Sequence, residues 1–480
     1  MREHGLDISD TVQLLPLIDK YQMNGPRYTS YPTAPQFSSE FSATDYIRHA
    51  LASNQDPLPR PLSLYLHIPY CKSLCYYCGC HKVIANDPSK AEGYLDFLYR
   101  EIAMQSRLYD SDRFVEQIHL GGGTPTFLSN DRLRELIEAL AQSFHFGLPS
   151  KMQMAIEIDP RSVTPDSAAE LADIGFNRIS LGIQDLDPRV QKAVNRQQSI
   201  EEIQDIICAV RAAGVPSISI DLMYGLPHQT QESFARTLDA VIHDIRPDNI
   251  ALYNYAHLPD RIPAQRLIHT STLPSPAEKM AIFLSAHSSL RTKGYLYLGM
   301  DHFTRPRDPL AQARDNGTLQ RNFQGYSTHG DCDLIGLGVS AISQVNGCYS
   351  QNVTSMKEYR QRISAGELPV RRGLALEPDD VFRADIIQGI MCRGEVVWTE
   401  LDDRHGIDSR SYFGPEYLAL RELSEDGLVH ISDQGFRVSS QGRFFLRPIA
   451  MIFDRYLRPS DSPDAPGLRG ITASGYSKVF

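Results

Sequence analysis

Short apolar runs alternate with longer stretches of helical periodicity from residue 62 onward. The runs are rich in Leu, Ile and Val and have the length of β-strands. They are LSLYLHI (62–68), EQIHLGGG (116–123), MQMAIEID (152–159), NRISLGIQ (177–184), SISIDLMYG (217–225) and NIALYNYA (249–256). Strands that alternate with helices indicate crossover connections and therefore a parallel sheet. Six such units predict an α/β fold, a partial (β/α)6 TIM-like barrel that is open at one side.

The repeating pattern does not cover the whole chain. Residues 1–60 are rich in Tyr, Pro and Ser without a clear period, which predicts an arm lying across a domain. Residues 301–375 are loop-rich, and the pattern turns helical from 379 to 457, with LVHISDQGFRVSSQG (428–442) predicting a two-strand wing. The predicted domains are an N-terminal arm (1–60), a barrel core (61–300), a barrel-associated extension (301–375) and a mostly helical, winged-helix-like C-terminal domain (376–480).

Polar residues stand where the predicted strands end. A cysteine-rich loop follows the first strand and GGGTPT (121–126) follows the second, while Glu157, Gln184 and Asp221 stand near the ends of the next three. In parallel barrels the functional groups lie at the carboxyl ends of the strands, where the loops open onto the mouth. We therefore expect these residues to converge around one cavity.

Four cysteines lie within ten residues directly after the first strand, in PYCKSLCYYCGC (69–80). Cys71, Cys75 and Cys78 form a C-x3-C-x2-C array, which offers three thiolates to a four-iron cluster and leaves one iron open to a small chelating molecule. Structural zinc is the alternative for closely spaced cysteines. Zinc sites usually add a second Cys or Cys/His pair across a longer finger, and no such pair follows here. The array therefore favours a 4Fe–4S cluster.

The amino-acid composition and net charge mainly exclude some classes of function. The 480 residues are 42% hydrophobic and 22% charged, which is enough for a sizeable core and more than one domain. The net charge of -10 argues against a dominant nucleic-acid or anionic-membrane function. The N-terminus lacks an apolar signal segment and no apolar run reaches the length of a membrane span, so we expect a soluble, cytoplasmic protein. The remaining cysteines are scattered without ligand spacing and are expected to be small buried residues: Cys208, Cys332, Cys348 and Cys392.

Three features near the strand ends suit ligand binding. The glycines at 121–123 allow a ligand to approach the backbone closely, although the run lacks the Lys-Ser/Thr ending of a P-loop. Glu157 at a barrel mouth could accept hydrogen bonds from ribose hydroxyls, and an ordinary solvated carboxylate is the alternative. Arg196 either is solvated at a helix end or points inward, where its planar fork would suit a carboxylate.

Two aromatic positions near the cysteines add further candidates. Tyr65 and His67 alternate with apolar residues in the first strand, so both are predicted to face the same side. A strand histidine is usually structural, but a tyrosine and a histidine together on the cluster side favour a functional role for at least one of them. Tyr77 stands between the second and third cysteines and would lie beside the cluster, where its ring could pack on adenine.

The cysteine array resembles the cluster loop of the radical S-adenosylmethionine (SAM) superfamily. Over nearly its full length, the chain is similar to the oxygen-independent coproporphyrinogen III oxidases, or coproporphyrinogen dehydrogenases, of heme biosynthesis. Many separate segments in the same order carry this resemblance. They are RYTSYPTA (27–34), YLHIPYCKSLCYYCGC (65–80), GGGTPT (121–126), EIDPR (157–161), SLGIQD (180–185), VNRQQ (194–198), DLMYGLP (221–227), YNYAHLP (253–259), GLGVSAIS (336–343) and IIQGIMC (386–392).

The resemblance implies a radical SAM barrel and an oxidoreductase that uses one 4Fe–4S cluster and two SAM molecules. In the family, cleavage of SAM yields a 5'-deoxyadenosyl radical that takes a hydrogen atom from a substrate propionate. Two propionates of coproporphyrinogen III thereby become vinyl groups without oxygen, which gives protoporphyrinogen IX and carbon dioxide. The other implied partners are an electron donor for the cluster and a terminal electron acceptor. We expect no nucleic-acid partner, no membrane span and a monomer.

The resemblance also assigns roles to residues, position by position. The cluster ligands would be Cys71, Cys75 and Cys78. Contacts of the cluster-bound SAM would be Tyr65, Gly122, Glu157 and Ile342, with Tyr77 near its adenine. Contacts of the second SAM would be Gly123, Thr124, Gln184, Arg196, Asp221 and Ala256. The catalytic candidates are Tyr65, His67 and Cys80, of which Cys80 is needed in the family without being an iron ligand.

Other functions predict different behaviour. Heme-chaperone-like paralogues share the barrel and three cysteines but, as a group, lack the fourth cysteine and the RYTSYPTA arm, which are both present here. Such a paralogue would bind heme without substrate-dependent cleavage of SAM. A nucleic-acid regulator that uses the winged segment ranks last, since that segment has no sustained basic face. Arg27 and Arg305 are candidates for binding substrate carboxylates, and Tyr28 for closing over the substrate.

Overall fold

A computed structural model of the protein describes residues 8–458, 473 and 476–479. The backbone contacts divide the chain into two compact units. One, here called the barrel unit, comprises residues 37–282 and 331–375. The other, the terminal unit, comprises residues 1–36, 283–330 and 376–480.

The described residues form both strands and helices. The strands are β1 (Leu62–Ile68), β2 (Tyr70–Cys71), β3 (Val83–Ile84), β4 (Phe114–Gly122), β5 (His145–Phe146), β6 (Gln153–Ile158), β7 (Arg178–Gln184), β8 (Ser217–Tyr224), β9 (Asn249–Asn254), β10 (Leu296–Gly299), β11 (His302–Thr304), β12 (Gln320–Asn322), β13 (Gly325–Ser327), β14 (Asp333–Leu337), β15 (Ile342–Val345), β16 (Cys348–Asn352), β17 (Val370–Ala375), β18 (Glu395–Val397), β19 (Val429–Ser432) and β20 (Gly435–Val438). The helices are α1 (Ile8–Tyr21), α2 (Ala43–Ser53), α3 (Ser89–Ser106), α4 (Asn130–Ser143), α5 (Pro165–Ile174), α6 (Pro188–Ala193), α7 (Ile200–Ala212), α8 (Gln231–Ala240), α9 (Pro276–Thr292), α10 (Pro309–Asp315), α11 (Met356–Ser364), α12 (Pro378–Gln388), α13 (Trp398–His405), α14 (Ser409–Tyr412), α15 (Gly414–Glu425) and α16 (Leu446–Met451).

The barrel unit is built on one sheet whose strands run in the order β9-β8-β7-β6-β4-β1-β14-β15-β16-β17. The seven strands from β9 to β14 pair in parallel, and those from β14 to β17 pair antiparallel. Helices α3, α4, α5 and α7 follow successive strands and contact one another in that order. This is the α/β partial barrel that the alternating pattern predicts, and all six predicted strands are confirmed.

Local sequence explains where the barrel helices begin. A Ser or Thr precedes the first turn, and its side chain accepts a hydrogen bond from the backbone amide three residues on, while its own backbone amide donates to the side chain of that residue. These reciprocal caps satisfy amide groups that the first turn leaves without a helical partner. The capping residues are Ser42 for α2, Thr164 for α5, Ser199 for α7 and Thr230 for α8.

The two faces of the parallel strands differ in polarity. One face carries fully buried aliphatic side chains such as Leu64 and Ile118, which form the core. On the other face of β1, β4 and β6, polar side chains pair with each other. The Ser63 hydroxyl donates to Gln117 Oε1 at 2.9 Å, and Gln117 Nε2 donates to Gln153 Oε1 at 2.7 Å. Because side chains alternate along a strand, this polar face continues toward the carboxyl ends and the mouth.

The terminal unit contains most of the helical C-terminal region. Helices α12 to α15 precede the antiparallel β19–β20 hairpin, and β18 pairs with β20 to complete a three-stranded wing. The guanidinium of Arg447, which is 6% exposed, joins the ends of the chain. It donates to the carbonyl of Pro26 at 2.8 Å and to those of Lys478 and Val479 at 2.9 and 3.0 Å. The mostly helical C-terminal region and its wing are thus confirmed.

Two segments without a clear sequence period contain regular elements. Residues 1–60 contain α1 and α2, and residues 333–375 contain four strands that extend the barrel sheet. The strand β14 is buried at every position, so it lacks the alternation of polar and apolar residues that marks an exposed sheet. Residues 1–7 of the predicted arm lie outside the described part of the chain.

A membrane-spanning helix must be both long and apolar. Among the helices that the structure describes, none meets both requirements.

Candidate functional site

The cysteine loop leaves the carboxyl end of β1 and is closed at its base by backbone pairing. Strands β2 and β3 run in parallel, with Val83 N–H donating to Pro69 O at 2.7 Å. The far side of the loop is held by the segment after α6. The amide of Tyr76 donates to Val194 O at 3.0 Å, and Asn195 Nδ2 donates to Leu74 O at 2.8 Å. Hydrogen bonds therefore hold the loop both at its base and on its far side.

Hydrogen-bond donors surround the first two thiols. The hydroxyl of Thr124 donates to Cys71 Sγ at 3.4 Å. Cys75 Sγ is buried and accepts from Arg161 Nη2 at 3.3 Å and from Arg196 Nη1 at 3.5 Å. Donors and guanidinium groups of this kind stabilise thiolates, which are the form that binds iron. At Cys71 burial outweighs the hydrogen bond from Thr124 and raises the pKa of the thiol to about 11, so this ligand would lose its proton on binding iron.

Cys78 is favoured as a thiolate by its neighbours in the loop. A hydrogen bond from the Cys80 thiol, with the nearby Lys82 ammonium, lowers the pKa of Cys78 to about 6 despite its burial. The same hydrogen bond raises the pKa of the Cys80 thiol well above its ordinary range. Lys82 Nζ also donates to Cys78 O at 2.8 Å. Cys80 thus lies beside the third predicted ligand as a protonated donor.

The glycine run approaches the cysteine loop closely. Gly122 has a φ of +108°, and a Cβ there would lie 2.6 Å from the His67 ring. A Cβ on Gly123 would lie 2.7 Å from the carbonyl carbon and oxygen of Pro69. The amide of Gly123 donates to Ile68 O at 2.8 Å. Only glycine lets these two backbone segments lie this close together.

Gly123→Ala is expected to push the two segments apart and to weaken SAM binding. The atoms that a new Cβ would meet belong to the backbone, which cannot rotate aside, and overpacking of this kind costs about 1–3 kcal/mol. The measurements are the unfolding midpoint and SAM binding by the reconstituted protein. The control is Gly93→Ala within α3, where nothing lies within 4 Å of the new Cβ, so stability should be unchanged or raised. Equal effects of the two variants would contradict the close contact.

Tyr65 and His67 meet on the polar face, as the alternation predicts. The Tyr65 hydroxyl lies 3.2 Å from His67 Nδ1, and His67 Nε2 lies 3.0 Å from the carbonyl of His81. Burial lowers the pKa of His67 to about 4, so the ring is neutral. Because a carbonyl only accepts, the proton of the neutral ring is on Nε2, and Nδ1 accepts from Tyr65.

Glu157 is oriented by two donors. His119 Nε2 lies 3.0 Å from one carboxylate oxygen, and the amide of Gly122 donates to the other at 3.3 Å. Burial opposes ionisation, but these hydrogen bonds outweigh it and lower the pKa of Glu157. The carboxylate is therefore charged, and its side chain retains 44% of its exposure, so it can still accept hydrogen bonds from a ligand.

Arg196 points inward, where its fork meets a carboxylate of the protein. Its Nη1 donates to Asp159 Oδ2 at 3.0 Å and its Nε to Gly182 O at 3.2 Å. Arg161 binds the same carboxylate at 2.7 Å. Burial opposes the charge on Asp159, but the two guanidinium groups outweigh it and lower the pKa of Asp159. Both guanidinium groups also donate to Cys75 Sγ, so this group of charged side chains contacts the cysteine loop.

Gln184 and Asp221 present unused polar atoms to the same face. Gln184 stands at a bulge between β7 and β8 with a φ of +69°, and its side-chain oxygen is buried with no hydrogen-bond partner in the described structure. The Asp221 carboxylate accepts no hydrogen bond from any described residue. Burial, with the nearby Glu157 charge, raises the pKa of Asp221 to about 7. Groups of this kind are suited to a polar ligand that supplies donors.

Gln265 connects two of the predicted contact residues. Its Nε2 lies 3.1 Å from both Tyr77 O and Ala256 O, and its oxygen accepts from the amide of Leu258. The side chain is 1% exposed. Gln265 therefore ties the cysteine loop to the segment that follows β9, although no pattern in the sequence singles it out.

Glu101 holds the turn before Ile342, between β14 and β15. This fully buried carboxylate accepts from Gly338 N at 2.7 Å, from Asn352 Nδ2 at 2.7 Å and from the Tyr359 hydroxyl at 2.6 Å. Asn352 Nδ2 also donates to Gly338 O at 2.9 Å. Both backbone groups of Gly338 are thereby fixed. A glutamate inside the helical pattern of α3 gives no sequence signal for this role.

Glu101→Gln is expected to reduce the pH dependence of stability. Burial outweighs the three hydrogen bonds and raises the pKa of Glu101 from 4.5 to about 7. The bound proton therefore stabilises the fold fully below pH 4.5, and this contribution, about 3 kcal/mol, is lost as the pH rises through 7. Unfolding midpoints measured across this range should vary less in the variant. An exposed control, Glu138→Gln on α4, should keep the pH profile of the unchanged protein, and a similar profile in all three would contradict the prediction.

The barrel unit contains every residue assigned to the cluster and the two SAM molecules. Three other candidates lie in the terminal unit and are engaged there. Arg27 pairs with Asp301, and the buried Tyr28 hydroxyl donates to Asp454 at 3.0 Å. Arg305 lies 3.9 Å above the ring of Tyr295. His119 is a neighbour of Glu157 that the sequence did not single out. It lies two residues before Gly121 on the same strand, so the alternation of side chains places it on the polar face.

Comparison with known proteins identifies the protein families that this chain resembles. The Radical SAM superfamily model matches residues 65–241, and the HemN C-terminal domain model matches residues 376–445. Members of that superfamily use a 4Fe–4S cluster and SAM, so the zinc alternative is not supported.

The full-length relatives are more specific. An oxygen-independent coproporphyrinogen III oxidase from Pseudomonas aeruginosa is 47% identical over 441 residues, 92% of this chain and 95% of the relative. The protein of the same name from Escherichia coli K12 is 43% identical over 444 residues, with the same coverage of both chains. The solved structure of coproporphyrinogen III oxidase (HemN) from Escherichia coli covers 92% of this chain and 99% of its own, at 42% identity and a TM-score of 0.87. The chain is thus a radical SAM oxidoreductase and belongs to the oxygen-independent coproporphyrinogen III oxidase family.

Proposed function

We propose that this protein converts two propionates of coproporphyrinogen III to vinyl groups without oxygen and so forms protoporphyrinogen IX in heme biosynthesis. The observation that carries the proposal is the cysteine loop, surrounded by donors, together with side-chain oxygens of Gln184 and Asp221 that have no hydrogen-bond partner among the described residues. Full-length relatives of the same name support the choice of substrate. The heme-carrier alternative is not favoured, because the relatives are named as oxidases.

Three thiols of the loop would hold the 4Fe–4S cluster, and no fourth cysteine ligand is proposed. When bound, the cluster and SAM supply one-electron chemistry that removes a hydrogen atom from the substrate. Around them the chain supplies fixed polar groups. Arg161 and Arg196 stabilise the sulfur of Cys75, and Thr124 donates to that of Cys71.

The polar face would bind the two SAM molecules through complementary hydrogen bonds. Glu157, charged and partly exposed, is suited to ribose hydroxyls of the cluster-bound SAM. Gln184 and Asp221 would accept hydrogen bonds from the second SAM, and the backbone of the glycine run would contact both. Tyr77 would lie near the adenine of the cluster-bound SAM. Gln265 would fix the position of the Tyr77 ring, because it donates a hydrogen bond to the Tyr77 backbone carbonyl.

Tyr65, His67 and Cys80 are proposed to act closest to the reaction. The neutral His67 ring orients the Tyr65 hydroxyl through Nδ1, so Tyr65 keeps its proton. Burial raises the pKa of Tyr65 well above its ordinary range, which agrees with this protonation state. The protonated Cys80 thiol, beside Cys78, could donate a proton to a nearby group and remain as a thiolate, without binding iron.

We further propose that the protein acts as a cytoplasmic monomer with one electron donor and one terminal acceptor. The net charge of -10 favours neither nucleic acid nor an anionic membrane as a partner.

The experiment is an anaerobic assay of the reconstituted, reduced protein. The products 5'-deoxyadenosine and protoporphyrinogen IX are quantified with and without coproporphyrinogen III. Deoxyadenosine that depends on substrate and is matched by vinyl product is the expected result. Cysteine variant Cys71→Ala serves as the inactive control. Heme binding with no decarboxylation would overturn the proposal in favour of the carrier.

A further inference from the structure

A groove on the outer side of the cysteine loop has a cationic rim and an apolar floor. It belongs to the barrel unit and has a volume of about 470 Å³. Its charged or titratable lining residues are Arg189, Lys192, His228 and His269. Pro227 and Ile268 contribute apolar surface, and the Leu267 side chain is 55% exposed.

The rim has a net positive charge. Arg189 and Arg236 share one carboxylate, that of Asp187, at 3.2 and 3.8 Å, and both arginine side chains are 68% exposed. Lys192 is exposed and forms no ion pair with any described residue. Among the described residues, no Asp or Glu lines the groove. The groove is therefore locally positive, whereas the whole chain has a net charge of -10.

The floor of the groove belongs to the cysteine loop itself. Tyr76, which lines the groove, follows Cys75 directly in the chain. It packs against a buried cluster formed by Val190, Val194, Leu226, Tyr255 and Ile268, and its amide donates to Val194 O at 3.0 Å. A partner seated in the groove would therefore contact Tyr76, the residue that follows the cluster ligand Cys75.

We propose that this groove is the docking surface for an acidic one-electron carrier protein that reduces the cluster. The inference rests on the proposed function, which requires an electron donor. In the step, one electron leaves the reduced carrier and enters the cluster, so the carrier is oxidised by one electron and no bond is made or broken. The charge complementarity of rim and carrier would steer the encounter, and the exposed Leu267 supplies apolar contact.

Binding is tested first, on the chain without its cluster. The probe is a flavodoxin, an acidic flavin protein, titrated calorimetrically at low and at moderate salt. Arg189→Glu/Lys192→Glu should weaken binding by about 10-fold or more at low salt and flatten its salt dependence. The matched control, Arg134→Glu/Lys151→Glu, changes the net charge equally at two exposed residues of the barrel unit, and should bind like the unchanged chain.

Lys192→Glu alone keeps the Arg189–Asp187 pair and so guards against a folding defect in the double variant. Its effect should be smaller and in the same direction, whereas Lys151→Glu should have none. Equal binding by rim and control variants would overturn the proposal. So would a groove that binds inorganic phosphate while flavodoxin binding is unaffected by the rim substitutions, since that outcome indicates a small-anion site.

Reduction is tested second, on the reconstituted protein without substrate. Stopped-flow absorbance should show slower cluster reduction by flavodoxin hydroquinone in the rim variant and unchanged reduction by dithionite, which needs no docking. Slower reduction by both reagents would overturn the docking role. Failure of the proposed function would instead show as absent decarboxylation with dithionite while flavodoxin binding persists.

Discussion

Cys78→Ala is expected to abolish assembly of the iron–sulfur cluster and with it all cleavage of SAM. Three thiolates are the whole protein ligand set that the loop offers, so losing one leaves two irons without a protein ligand. Cys78 is the thiol whose pKa falls to about 6, which makes it a ready ligand at neutral pH. Iron and sulfide content after anaerobic reconstitution, with the visible absorption of the cluster, measures the loss directly.

The chain provides two informative controls for this prediction. Cys208 on α7 is exposed, contrary to the expectation that it is buried, and Cys208→Ala should leave the iron content unchanged. Cys80→Ala removes the donor to Cys78, so the cluster should form while decarboxylation falls. If Cys80→Ala lost iron as completely as Cys78→Ala, Cys80 would be a ligand and the three-thiolate arrangement would be wrong.

The barrel strands could be predicted because their pattern is local. Each of the six strands is a short apolar run bounded by turn residues, and β1 begins and ends at the predicted residues. Strand direction then follows from the intervening helices, and the placement of groups at the strand ends follows from direction. The expected side for Tyr65 and His67 needed nothing beyond alternation along one strand.

The parts that escaped prediction depend on contacts that are distant in sequence. Strand β14 pairs with β1 across more than 260 residues, and its burial on both faces removes the alternating pattern. Glu101 and Gln265 are buried polar residues whose partners lie on other elements. Arg196 was expected to suit a carboxylate, but the sequence could not show that Asp159 would be its partner. The residue type predicts the kind of bond, and the fold determines the partner.

The pair formed by Asp159 and Arg196 is expected to stabilise the barrel unit strongly. Arg196→Gln leaves the Gly182 carbonyl without its guanidinium donor and the buried Asp159 with only Arg161, a loss of about 3 kcal/mol or more. Asp159→Asn should cost a similar amount, because the guanidinium of Arg196 is then buried without its counter-charge. Urea denaturation of the chain without its cluster, followed at the barrel transition, is the measurement.

A double-mutant cycle separates this pairing from a direct role of Arg196 in binding SAM. If the two side chains stabilise each other, the double variant costs less than the sum of the singles, by about 2 kcal/mol. Since the pKa of Asp159 is lowered in the fold, its contribution is present at neutral pH and fades as the pH falls through that lowered value, so the coupling should shrink in acid. Arg48→Gln, at an exposed pair with Asp45, is the control and should change little. Additive costs at neutral pH would mean that Asp159 and Arg196 do not stabilise each other, and the predicted pairing would be wrong.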